Sequence, residues 1–341
     1  MEDAKLSQTL GTQAVIGQMS SIDILNQSMS TSHKDKWTSK AVNPLYLFLQ
    51  QSMSISNNSD SCIEELPAES QAYYVLPSDA SETERLRINH TMWKLILEGL
   101  QTAPIQDKLQ KGIKVLDIGC GPGWWSIDMA KRYPNSQFVG LDISDNFSRD
   151  KLPDNLVFEL ANAGQCLPFE DNEFDYVFQR FLVMGLPAVQ YAFVVEEIKR
   201  VLKPGGTVEI LEMVSSYDNP SPAFDCIGIW SKLIYHETYQ FFGIGLDPQV
   251  ARTVGAMLNH SGFTDVTDNL HQVPIGNWGG RIGALFLDVQ KLALPAVMSI
   301  VLQLDLTQRP TFIKTMQEAF ADAPNYKTSC EFHLVCAVKP T

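Results

Sequence analysis

Asp117, Gly119, Gly121 and Gly123 stand two residues apart along Val115-Leu116-Asp117-Ile118-Gly119-Cys120-Gly121-Pro122-Gly123. An apolar run ends in an acid and then breaks into glycines. A buried parallel strand turns tightly into a helix in this way, with its backbone held close to a ligand. A Cβ there would collide with the ligand or forbid the turn. Two ligands are common at such a turn. A dinucleotide favours G-x-G-x-x-G, because its pyrophosphate needs open backbone N–H groups at a helix N-terminus. The spacing here is G-x-G-x-G with Asp117 ahead of it. That pattern suits S-adenosylmethionine, which has no phosphate: the loop lies against its methionine and ribose, and Asp117 accepts from its amino group, directly or through water. Asp142, with Ile143 beside it, ends the next apolar run 19 residues after Gly123. A carboxylate at that distance accepts both ribose hydroxyls, although NAD sites use it too. Asn162 follows a third apolar run and is placed to reach the adenine amino group, with Ala163 supplying a backbone N–H. Taken singly, Asp142 also reads as a helix cap and Asn162 as a turn residue. Their order along the chain is what favours the donor.

The elements that must position these residues alternate. Strands are expected over 113–118, 137–142, 156–160, 176–180 and 207–213. Helices are expected over 81–100, 124–133 and 192–202, the last closed by Lys203-Pro204-Gly205-Gly206. This is the pattern of an α/β, doubly wound, mostly parallel sheet. A sixth strand over 265–273, a helical insertion over 282–321 and a last strand over 330–338 complete the domain. The expected organisation is a mostly disordered polar tail over 1–68, with one short helix near 45–53, and then one domain over 69–341. Within the domain, 111–215 is the core and 220–325 a helical cap and insertion.

A net charge of −13 argues against a non-specific nucleic-acid binder. The six cysteines show no C-x-x-C pair, so neither zinc nor a disulfide framework is expected. Reduced thiols and the polar start at Met1–Leu10 point to the cytoplasm, with the nucleus as second choice. The apolar run 292–304 is too short to span a bilayer.

The motifs VLDIGCGPG, FVGLDIS, NAGQCLPFEDNEFDYVF and LKPGGTVEILE follow one another between Val115 and Glu212. In that order they resemble the class I S-adenosylmethionine-dependent methyltransferases. The resemblance implies a seven-stranded sheet with an antiparallel final strand. A narrower likeness is visible outside the core. Tyr74-Val75-Leu76-Pro77-Ser78-Asp79, Glu84-Arg85-Leu86, His90 and Val273-Pro274-Ile275-Gly276-Asn277-Trp278 look like fungal LaeA-like and other secondary-metabolism methyltransferases. The loop departs from that subfamily in reading GCGPG rather than GTGTG, and Asn162 stands where an aspartate is usual.

The resemblance implies that the approach segment holding Tyr74 and Arg85 folds over the donor. Arg180 is a candidate for the donor's carboxylate, for the acceptor, or for a surface ion pair. Trp124 and Trp125 divide between core packing and a cation–π contact with the sulfonium. Methyl transfer is an in-line displacement that mainly needs alignment and exclusion of water. A general base helps only where the acceptor is an oxygen or a protonated nitrogen. His236, in an aromatic stretch, and Glu212, at the end of the fifth strand facing the acceptor cavity, are the candidates. The aromatic cap favours a small-molecule acceptor. The alternatives are an S-adenosylmethionine-binding regulator acting through protein partners, with the polar tail as contact, and an NAD-dependent oxidoreductase, which the glycine spacing disfavours.

Overall fold

The computed structural model describes residues 79–228, 246–302 and 309–341, with side chains over 297–302 excepted. The tail, Tyr74 and His236 lie outside the described residues.

The chain enters on α1 (Ala80–Ile96). Asp79 caps it by accepting from the Glu82 backbone N–H at 2.9 Å. A short α2 (Gln106–Lys111) leads into β1 (Lys114–Ile118), α3 (Trp124–Arg132), β2 (Gln137–Asp142), β3 (Leu156–Leu160) and β4 (Phe174–Arg180). Then come α4 (Ala188–Val201), β5 (Leu202–Met213), a helical stretch at 222–228, α5 (Val254–His260) and β6 (Thr264–Pro274). The expected single insertion is two helices, α6 (Gly280–Leu302) and α7 (Arg309–Tyr326), before β7 (Ser329–Val338). None of the described helices is long and apolar enough to cross a membrane.

The sheet has seven strands in the order β3-β2-β1-β4-β5-β7-β6. β1 to β5 run parallel, and β7 is antiparallel to both β5 and β6. Period-two alternation sends neighbouring residues of one strand to opposite faces. Leu116, Ile118 and Val177 pack with Tyr191, Val194, Val195 and Ile198 of α4. Val115, Tyr176 and Phe178 pack with Trp125, Ile127 and Met129 of α3. A third apolar cluster joins Trp93 of α1, Phe286 of α6 and Phe312 of α7 to Phe332 and Leu334 of β7.

One boundary differs instructively from expectation. β5 starts at Leu202 and not at the expected 207, so Lys203-Pro204-Gly205-Gly206 lies within it. Leu202 pairs with Phe174, the register then shifts, and pairing resumes at Tyr176 with Thr207. Gly205 has φ +73, and its N–H donates to the Lys339 carbonyl at 2.9 Å while the Lys339 N–H donates to Gly206. The Pro-Gly-Gly signal marks a bulge stitched into the sheet, not the end of it.

Candidate functional site

A cavity opens where the C-terminal ends of β1, β2 and β4 meet α1. Its floor is the glycine loop, Gly119 to Pro122, and one wall is formed by Asp142, Ile143, Asn162 and Ala163. The opposite wall holds Arg180, Phe181 and Leu182, and α1 covers it with Glu82, Arg85, Leu86 and Asn89. This is the switch point of a doubly wound sheet, where ligands bind beyond the strand ends.

Asp142 is the hinge of the floor. One carboxylate oxygen accepts from the Gly121 N–H at 2.8 Å and the other from the Ser144 N–H at 2.9 Å. Burial pushes its pKa up, and these backbone N–H groups pull it back. An ionised carboxylate has further lone pairs for a ligand's hydroxyls. Ile143 is 42% exposed beside it. The Asn162 side-chain oxygen accepts from the Gly164 N–H at 2.8 Å, an Asx turn that leaves the amide nitrogen for another partner.

At two positions the turn itself, not a ligand, is what calls for glycine. A Cβ on Gly119 would lie 2.4 Å from a Leu182 methyl, and one on Gly123 would lie 2.3 Å from the Phe158 ring. Both glycines have φ in the left-handed region, at +67 and +82. The protein itself, packed against the turn, excludes a side chain there. Gly123 also lies outside the cavity lining.

Asp117 is likewise behind the loop and not on the cavity wall: it is 2% exposed and accepts from the Ser126 hydroxyl at 2.6 Å. A short serine at the third position of α3 reaches down to it and takes one of its carboxylate oxygens. Burial raises its pKa to about 7, while the Ser126 bond and the Arg180 charge oppose the rise. An acid whose folded pKa exceeds its unfolded value stabilises the fold below the unfolded pKa, and that stability is lost as pH rises through the folded one. Asp117→Asn is therefore expected to lose less stability than the wild type between pH 5.5 and pH 8. Thermal unfolding at both values checks this.

Glu212 is also turned inward. It is 0% exposed and is absent from the cavity lining. Its carboxylate accepts from the Leu182 N–H at 2.8 Å, the Val183 N–H at 3.3 Å and the Tyr191 hydroxyl at 2.9 Å. Burial raises its pKa to about 7. The chain reverses at Phe181, which has φ +60, and the Phe181 N–H donates to Leu211 at 3.0 Å. A bulky residue held in that region stores strain. Leu211 and Glu212 at the end of β5 hold the reversal that sets Phe181 and Leu182 in the cavity wall. This corrects the expectation that Glu212 faces an acceptor: its oxygens are used by the turn.

The two tryptophans divide as their positions require. Trp125 is core, stacked on Phe178 with centroids 4.0 Å apart, and its indole N–H donates to the Leu100 carbonyl at 2.6 Å. Trp124 lines the cavity. Glu82 and Asn89 on α1 were not anticipated. Glu82 holds Arg85 through two bonds of 2.7 Å. The signal was present as Asp79-x-x-Glu82, a helix-start pattern that places the first turn of α1 at residue 80. Among the described residues no group of acids, histidines and cysteines could hold a metal.

The residues of the cavity fit S-adenosylmethionine. A carboxylate stands at the β2 end for hydroxyls, an apolar face and an amide lie beside it, and a guanidinium stands at the β4 end for a carboxylate. At Gly121 an added Cβ would meet only a Leu86 methyl, 3.7 Å away, so the floor is open to a ligand.

Residues 115–206 match the family described as Methyltransferase domain. The chain is 27% identical to N-methyltransferase sirN of Leptosphaeria maculans, over 63% of this chain and 75% of that protein. It is 35% identical to demethylmenaquinone methyltransferase of Staphylococcus carnosus, over 36% of this chain and half of that protein. Secondary metabolism regulator LAE1 of Cochliobolus heterostrophus is 26% identical, over 60% of this chain and 67% of its own length. Residues 115–206, the stretch that holds the glycine loop and the acid at the β2 end, therefore carry an S-adenosylmethionine-dependent methyltransferase domain.

Proposed function

We propose that the protein transfers a methyl group from S-adenosylmethionine to a small apolar or aromatic acceptor. The supporting observation is the strained Phe181, whose ring joins the cavity wall to Trp93 and Phe332 at centroid distances of 6.0 and 6.2 Å. An aromatic wall at the β4 end suits a flat apolar acceptor better than a polypeptide.

When bound, S-adenosylmethionine supplies a methyl group already activated on a sulfonium. In this reading the chain's own residues bind, orient and exclude water. Asp142 accepts the ribose hydroxyls, Ile143 covers one face of the adenine, and Asn162 and Ala163 meet its edge. Gly119 and Gly121 bring the backbone against the methionine portion, and Arg180 takes its carboxylate. Asp117 and Glu212 hold the walls from behind, through Ser126 and the Leu182 turn. Tyr74 approaches the donor, and His236 serves as base only for an acceptor that must lose a proton. A second reading, an S-adenosylmethionine-binding regulator acting through protein partners, draws on the match to the secondary metabolism regulator.

Incubation of the full chain with methyl-labelled donor and separated host extracts tests both. Label is expected in the small-molecule fraction. Label confined to proteins, or a stable partner captured with no turnover, would favour the second reading. Calorimetry showing affinity for NAD and none for S-adenosylmethionine would end both.

A further inference from the structure

Arg180 lies in the cavity wall, and none of the ion pairs among the described residues includes it. Asp117 and Asp128 act on it only through space, while burial pulls its pKa down. A guanidinium in such a wall needs something to fix its direction. The contact present is unusual: Arg180 Nη2 lies 3.2 Å from His90 Nδ1. Arginine can only donate, so Nδ1 must accept, and the ring proton must sit on Nε2. That nitrogen lies 3.1 Å from an Asp128 carboxylate oxygen, and the same oxygen takes Lys94 Nζ at 2.5 Å. His90 is 7% exposed. The chain Lys94–Asp128–His90–Arg180 runs from the surface, across α1 and α3, to the cavity.

We infer that His90 is a positioning residue: as the neutral Nε2–H tautomer, set by Asp128, it aims the Arg180 guanidinium at the carboxylate of an amino-acid-bearing ligand. The inference rests on the donor reading above. The strand order gives the direction: Asp142 of β2 and Arg180 of β4 flank the β1 loop. A nucleoside held at Asp142 therefore has its amino-acid end at Arg180. A proton added to His90 must go to Nδ1, where it meets the guanidinium donor and a like charge. The titratable and charged groups facing His90 are Arg180, Asp128 and Lys94; burial is the largest influence on it and lowers its pKa. Asp117 and Asp128 act in turn on Arg180.

Two ligands separate this role from simple support of the fold. S-adenosylhomocysteine carries the carboxylate, and methylthioadenosine has the same nucleoside without it. In an Asp117→Asn background, which removes the acid that titrates at about 7 beside Arg180, lowering pH from 8 to 5.5 should weaken S-adenosylhomocysteine more than methylthioadenosine, since both report Asp142 but only the first reports His90. His90→Ala should bind S-adenosylhomocysteine about 10-fold more weakly at pH 8, the scale of one charge-assisted hydrogen bond, with methylthioadenosine unchanged. His90→Gln keeps an acceptor and a donor at similar spacing and cannot titrate. It should restore affinity at pH 8 and, in the Asp117→Asn background, remove the extra acid loss. Equal weakening of both ligands by His90→Ala, unchanged affinity, or an extra acid loss that persists in His90→Gln overturns the inference. A wild-type protein that binds neither ligand overturns the donor reading beneath it.

Discussion

Asp142→Ala is expected to weaken S-adenosylmethionine binding about 100-fold, the loss of roughly two hydrogen bonds to a charged acceptor. The size follows from the two tasks of this carboxylate. It is proposed to take the ribose hydroxyls, and it holds the glycine loop and the residue after Ile143 through Gly121 and Ser144. Alanine removes the ligand's acceptor and releases the floor beneath it. Asn in place of Asp keeps one acceptor oxygen and should recover part of the affinity. Titration calorimetry of the three proteins gives the series directly, and an alanine variant with wild-type affinity would place the ribose elsewhere.

Glu209→Ala is expected to cost the fold roughly 3–5 kcal/mol, the range for removing one partner from a buried charged network. Glu209 is 0% exposed in β5, near the centre of the sheet. One oxygen accepts from the Thr102 N–H at 3.0 Å, the other from the Ala103 N–H at 2.8 Å and the Tyr176 hydroxyl at 3.0 Å. Burial pushes its pKa up, and these donors oppose the shift. The carboxylate thereby ties the connection between α1 and α2 to the sheet. Alanine leaves buried donors with no acceptor. Denaturant unfolding should show a lower midpoint with an unchanged slope, provided the unfolded state is unaffected.

The cavity was legible because the residues that line it are local in sequence. Each of Gly119, Gly121, Asp142, Asn162 and Arg180 sits at or just beyond the end of its strand, so finding the strands finds the site. The count of seven strands and the antiparallel last one came through the family resemblance; their order did not. What could not be read was direction. Asp117 and Glu212 were found as acids at strand ends, but whether they face a ligand or the interior depends on Ser126 and Tyr191, which lie on other elements. Nothing in the local pattern around Glu212 shows that the chain reverses at Phe181 and needs its backbone N–H groups held. The link of His90 to Arg180 spans 90 residues of sequence. The helix expected over 81–100 contains His90, but nothing in the sequence says what meets it. The fifth strand was expected from 207 and starts at Leu202, because turn chemistry is the same whether a turn leaves the sheet or is stitched into it.

β7 comes last among the described strands, yet it is seated between β5 and β6. The lining of the cavity, by contrast, runs only from Asp79 to Leu186. During translation, the described residues that line the cavity are therefore all made well before the sheet beneath it can close. Until residues 329–338 emerge, β5 and β6 each show an unpaired edge, the kind of surface that recruits other chains. The pairing that removes both edges joins Thr207 to Val338 across more than a hundred residues, a long-range closure of the slow kind. For this chain the hazard in biogenesis lies at the side of the sheet farthest from the chemistry, and the final strand is the one that ends it.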